Sequence, residues 1–221
     1  MVERTFRTLE IVTRLGVLAT ALAVQRRRRR LRFMVKAEMQ QVKVVNFLLK
    51  HARTIPVDRR AGAGAYAVAV HRLRQGELVG VYPEATISRS FELKEFKTGA
   101  VRMASEADVP IVPMIVWGTQ RIWTKDHPRQ LGRNKVPVTV RVGAPLHATV
   151  DISSTDAALR ESMTALLHQA QRRYPHPAGA YWVPHRLGGG APTLTEAARM
   201  DAGEAAARAA SPVPRQSRKA L

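Results

Sequence analysis

Cysteine is absent from this chain, which excludes disulfides, thiolate zinc sites and a cysteine nucleophile. Long apolar runs are absent too. The best candidate, Leu15 to Val24, is half the roughly 20 residues needed to span a bilayer. It also lacks the order of a signal peptide, because its charge run follows the apolar stretch instead of preceding it. A buried or interfacial helix is the expected reading. Aromatic residues are scarce at 5%, and no stacking motif or zinc finger accompanies the basic residues. That weighs against a nucleic-acid partner. Acidic residues are also few: 17 against 36 Lys and Arg, for a net charge of +19 over 221 residues.

A surplus of this size favours anionic surfaces and phosphate-bearing substrates. Much of it is concentrated in Arg26–Arg30, with Arg32 close behind. Such a run is either a solvated charged turn or a contact with lipid phosphates, the latter contributing roughly 1 kcal/mol per basic residue at an anionic leaflet. The predominance of Arg over Lys and the abundance of Ala suit a high-GC bacterial coding sequence. Apolar residues make up 45%, enough for a core.

Two periodicities alternate along the middle of the chain. Strands are predicted at Leu31–Ala37, Thr54–Val57, Leu78–Tyr82, Val109–Trp117 and Val136–Val142, with Pro56 arguing for an edge position in the second. Helices are predicted at Val42–Lys50, at Gly64–Gln75 with Gly76 as its stop, at Thr98–Ala107, and at Asp156–Arg172. The last has a one-sided apolar stripe and capping residues in Ser153–Asp156. The alternation predicts an α/β fold: a mixed, largely parallel sheet flanked by helices. Ligands bind such sheets beyond the carboxyl ends of the strands, so the loops after Val57 and Tyr82 are the expected site loops. Three regions follow: residues 1–30 as an N-terminal helix and basic run, 31–173 as the core, and 174–221 as a Pro-, Gly- and Ala-rich tail expected to be poorly ordered.

Three blocks carry candidate chemistry. The first is Thr54-Ile-Pro-Val-Asp-Arg59-Arg60. The second is Val81-Tyr-Pro-Glu84-Ala-Thr86-Ile-Ser88-Arg89-Ser, running on through Lys97 to Gly99-Ala100. The third is Val109-Pro-Ile-Val-Pro113. Arg59, just past a strand, can hold a phosphate bidentately, or else pair with Asp58 or Glu38. Glu84, beyond the end of an apolar strand, can accept from substrate hydroxyls or orient an arginine. Thr86, Ser88 and Arg89 add donors for an anion. Lys97 stands at a helix start, where free amides and the dipole favour phosphate. Cations, hydroxyls and one carboxylate on strand-end loops describe a ligand bearing both phosphate and hydroxyl, such as a glycerol phosphate.

These blocks, with Lys36-Ala-Glu38-Met upstream, resemble the signature motifs of the 1-acylglycerol-3-phosphate (lysophosphatidic acid) acyltransferase family over Leu31 to Pro145. The resemblance implies a glycerolipid acyltransferase-like fold and transfer of a fatty acyl group to the hydroxyl of lysophosphatidic acid. Acyl-CoA or acyl carrier protein is the co-substrate, with no bound cofactor or metal. It implies that Arg59, Glu84 and Thr86 bind the acceptor, assisted by Lys97, at the cytoplasmic face of an anionic membrane. It leaves the oligomeric state unassigned.

The sequence departs from the family's pattern in two places. Ala85 replaces the usual glycine of the third motif and Ile87 its usual arginine, so Arg89 is the expected source of the missing cation. The N-H-x-x-x-x-D motif, whose histidine takes the proton of the acceptor hydroxyl while the aspartate orients it, has no counterpart. None of His51, His71, His127, His147, His168, His176 and His185 has an aspartate five residues on. No catalytic residue is therefore assigned. The expectation is a truncated and impaired member of the family, the alternative a non-catalytic relative that binds lysophospholipid or membrane.

Overall fold

The computed structural model describes residues 31–36, 54–57, 62–84, 86–128, 130 and 135–210. The expected helix at Val42–Lys50, the apolar stretch from Leu15, the Arg26–Arg30 run and Arg59 lie outside them. The chain divides into two compact units, one holding the described residues up to Ile87 and Leu93–Pro175, the other Ser88–Glu92 and the described residues from His176 on.

The first unit is built on three parallel strands, β1 (Leu31–Lys36), β2 (Ile55–Val57) and β3 (Leu78–Gly80). β1 is central: Met34 to Lys36 pair with Ile55 to Val57, and Leu31 to Phe33 pair with Leu78 to Gly80. Among the described strands β2 therefore occupies an edge, where Pro56 can lack its N–H without breaking a ladder. Because the strands are parallel, the chain leaves β2 and β3 at the same end of this sheet. Helix α1 (Gly62–Arg74) crosses from β2 to β3 and ends where Gly76 takes a φ of 75°, a conformation that costs glycine little. Helix α2 (Gly99–Ala107) packs on α1. Ala65, Ala69 and Val70 of α1 meet Met103 and Ala107 of α2 and Ile55 of β2 in one buried cluster.

Gly80 stands opposite Phe33 in the β1–β3 register. A methyl group there would lie 2.7 and 2.8 Å from Phe33 ring carbons, and the same ring stacks on Tyr82 at 6.1 Å. Gly80→Ala is expected to destabilise the chain by about 1–3 kcal/mol, the usual cost of overpacking, read as a lower denaturant midpoint.

The apolar run Val109–Trp117 is not one buried strand. It breaks into β4 (Pro110–Ile111) and β5 (Met114–Trp117) around fully buried Pro113, which has no N–H to donate. Each half takes its own antiparallel partner: β4 pairs with β7 (Leu146–His147) and β5 with β6 (Thr139–Val142). The described strands thus form three separate sheets, a parallel one of β1–β3 and two antiparallel pairs, where one mixed, largely parallel sheet was expected. Helix α3 (Ile152–Arg172) covers β5 and β6. Its buried face, Leu159, Met163, Leu166, Leu167 and Ala170, follows the predicted stripe. Its start lies four residues earlier than predicted, because Asp151 caps it by accepting from the N–H groups of Ser153 and Ser154.

Within the segment expected to be a poorly ordered tail, the described residues 176–210 belong to a compact unit. Helix α4 (Leu194–Ala210) opens with a capping box in which Thr193 and Glu196 satisfy each other's backbone N–H. Trp182, Val183, Ala191 and Ala197 are buried. Gly189 allows close backbone approach, since a Cβ there would strike the Val183 carbonyl. No helix among the described residues is long and apolar enough to cross a membrane.

Candidate functional site

Glu84 follows β3 by four residues and is half-buried. Two backbone hydrogen bonds fix its surroundings. The N–H of Lys97 donates to the Pro83 carbonyl at 2.8 Å, and the N–H of Lys94 donates to the Glu84 carboxylate. Residues 93–97 therefore lie as a strap against the Glu84 loop, although they form no strand. Burial pushes the Glu84 carboxyl up to about 7, against the opposing pull of the Lys94 N–H and of the Lys94 and Arg160 charges. A carboxyl poised this way is common at functional sites.

Thr86 and Lys97 are exposed. Lys97 directly precedes Thr98, which caps α2 by backbone alone. The first amides of α2 are thus left for an anion beside Lys97. The structure accordingly brings Glu84 and Lys97 to one loop cluster beyond the carboxyl end of β3, with Thr86 two residues further along. The end of β2, from which residue 59 follows by two positions, faces the same way.

Arg89 is a different case. It belongs to the second unit, is 8% exposed, and directs its guanidinium to Asp201 and, at 2.9 Å, to Glu204 of α4. The expectation that Arg89 supplies an anion-binding cation is replaced by a structural ion pair, because two carboxylates one helical turn apart match its fork. Arg89→Met is expected to remove the guanidinium from both carboxylates and to cost the unit roughly 3 kcal/mol. Loss of amide-exchange protection at Trp182, Val183 and Ala197 checks it.

Lys94 and Arg160 were not among the residues the sequence singled out. Lys94 contributes through its backbone N–H, which no sequence pattern reveals, and Arg160 lies 76 positions beyond Glu84. His71 is an exposed residue of α1, bonded to Gln75 at 3.0 Å.

A family model described as Acyltransferase matches residues 15–117. The 1-acyl-sn-glycerol-3-phosphate acyltransferase of Borreliella burgdorferi is 24% identical over 137 residues, 61% of this chain and 52% of the relative. That of Bacillus subtilis is 34% identical over 87 residues, 39% of this chain and 43% of the relative. The chain is similar to acyltransferases of the 1-acyl-sn-glycerol-3-phosphate type. The crystal structure of the 1-acyl-sn-glycerophosphate (LPA) acyltransferase PlsC from Thermotoga maritima has the same fold, with a TM-score of 0.53 at 19% identity, over 66% of this chain and 58% of that one. The chain spans about half the length of the curated relatives it matches. The matched region contains Glu84, Thr86 and Lys97 and ends at Trp117; α3 and the whole of α4 lie beyond it.

Proposed function

We propose that this chain binds lysophosphatidic acid as the acyl acceptor of a phospholipid-synthesising acyl transfer. Acyl-CoA or acyl carrier protein would be the donor and no bound cofactor would be required. The observation that carries the reading is the Glu84–Lys97 cluster at the strand end, in a chain similar to acyltransferases of this type. The Lys97 ammonium, the α2 amides and Arg59 serve the acceptor phosphate. The Glu84 carboxylate accepts from glycerol hydroxyls, and Thr86 adds a hydroxyl. The net charge of +19 supports peripheral attachment to an anionic membrane at its cytoplasmic face. The family's proton acceptor, a histidine five residues before an aspartate, is absent from these 221 residues, so binding and turnover separate in this chain.

The test is a titration of the full chain with lysophosphatidic acid and, in parallel, with monoacylglycerol, which keeps the acyl chain and hydroxyls but lacks the phosphate. Saturable binding of the first, weakened by Lys97→Glu, is expected. Equal affinity for both would overturn the assignment of the phosphate to this cluster.

A further inference from the structure

The Glu84 loop lies beside the strap Leu93–Lys97 in the first unit. It follows β3, has no regular structure, and depends on the strap Leu93–Lys97. That strap is itself irregular, so something outside it must fix it. Two anchors are visible in the first unit. Phe96 buries its ring, at 5% exposure. Arg160 of α3 reaches across to the strap, donating to the Lys94 carbonyl at 2.6 Å and to the Leu93 carbonyl at 3.4 Å. Its guanidinium also lies over the Phe96 ring, 5.5 Å from the centroid, within cation–π range. One side chain thus engages three strap residues, Leu93, Lys94 and Phe96, and the middle one is the residue whose N–H holds the Glu84 carboxylate.

We infer that Arg160 is a positioning residue for the acceptor site, holding Lys94 so that its N–H fixes the Glu84 carboxylate. The inference rests on the reading of Glu84 given above, and it extends the site to α3, outside the region matched by the family. A planar fork suits the task because it can donate to two neighbouring carbonyls while lying flat on a ring. Lysine offers a point charge that can reach one carbonyl. α3 suits it as the platform: its Leu159 and Met163 are buried, so the Arg160 backbone between them has little freedom. The side chain acts on Glu84 through the strap; it is not placed among the groups that touch the acceptor.

The experiment compares the full-length wild type, Arg160→Gln, Arg160→Lys, Glu84→Gln and the Arg160→Gln, Glu84→Gln double variant. Amide exchange is read first, since it requires no ligand. Arg160→Gln should lower protection at Lys94 by about tenfold while the amides of α3 keep theirs, and Arg160→Lys should restore part of it. Unchanged protection at Lys94 would overturn the inference. Loss spread over α3 as well would also overturn it, by showing a general structural role. Lysophosphatidic acid affinity is read second. If Arg160 acts through Glu84, the double variant binds no more weakly than Glu84→Gln alone; additive losses would show an independent role and reject the inference. Should the wild type bind no lysophosphatidic acid, the acceptor assignment fails, while the exchange result still decides whether Arg160 holds the strap.

Discussion

Radiolabelled acyl-CoA and lysophosphatidic acid, incubated with the purified 221-residue chain, are expected to yield no phosphatidic acid above background, although the acceptor binds. The reason is chemical. A glycerol hydroxyl is a weak nucleophile near neutral pH, and a positioned base is worth 10²- to 10⁴-fold in such transfers. The family meets that need with a histidine oriented by an aspartate, and no histidine in this sequence stands five residues before an aspartate. Glu84 is not assigned that role: the Lys94 N–H engages its carboxylate, and it is proposed above as an acceptor-binding group. Acyl transfer above background by this chain would sink the assignment and send the search for the base to another residue.

Glu84→Gln should do two opposite things. Acceptor affinity should fall roughly tenfold or more, because a hydrogen bond from a substrate hydroxyl to a charged carboxylate contributes about 1.5–3 kcal/mol. Stability should rise, and the sign follows from linkage. Burial raises the folded carboxyl to about 7 from an ordinary 4.5. The folded chain therefore retains a proton that the unfolded chain has released, so stability is lost as pH climbs from about 4.5 to about 7. Glutamine removes that loss while still accepting from the Lys94 N–H. The gain should be near zero below pH ~4.5 and reach roughly 2 kcal/mol above pH ~7, allowing for partial solvent screening of the full shift. Denaturant midpoints of the two proteins at pH 4.5 and pH 8 measure it. Equal midpoints at pH 8 would mean that Glu84 is not held in a desolvated place.

The α/β alternation, the edge position of Pro56, the stop at Gly76 and the buried stripe of α3 were legible in the sequence, because each follows from periodicity or from the backbone limits of one residue. The Glu84 loop was legible for a similar reason: an apolar strand ending at a proline is a local pattern. Other features depend on partners far along the chain. Pro113 sits inside an apolar run that reads as one strand, and only its two antiparallel partners, β6 and β7, reveal it as a break. Arg89 looks like an anion-binding cation until Asp201 and Glu204 arrive from 112 and 115 positions away. Those same carboxylates give the Ala-rich α4 a reason to dock, which its own composition lacks. Gly189, which lies in the segment read as a poorly ordered tail, allows a close backbone approach beside Val183.

Photolabelling with a diazirine-bearing lysophosphatidic acid, followed by peptide mapping, tests the central claim most directly, because it reports where the acceptor sits without requiring turnover. The account predicts attachment within Pro83–Lys97, competed by unlabelled lysophosphatidic acid and reduced in Glu84→Gln. Attachment confined to residues 176–210, or labelling that unlabelled lysophosphatidic acid does not compete, would contradict it.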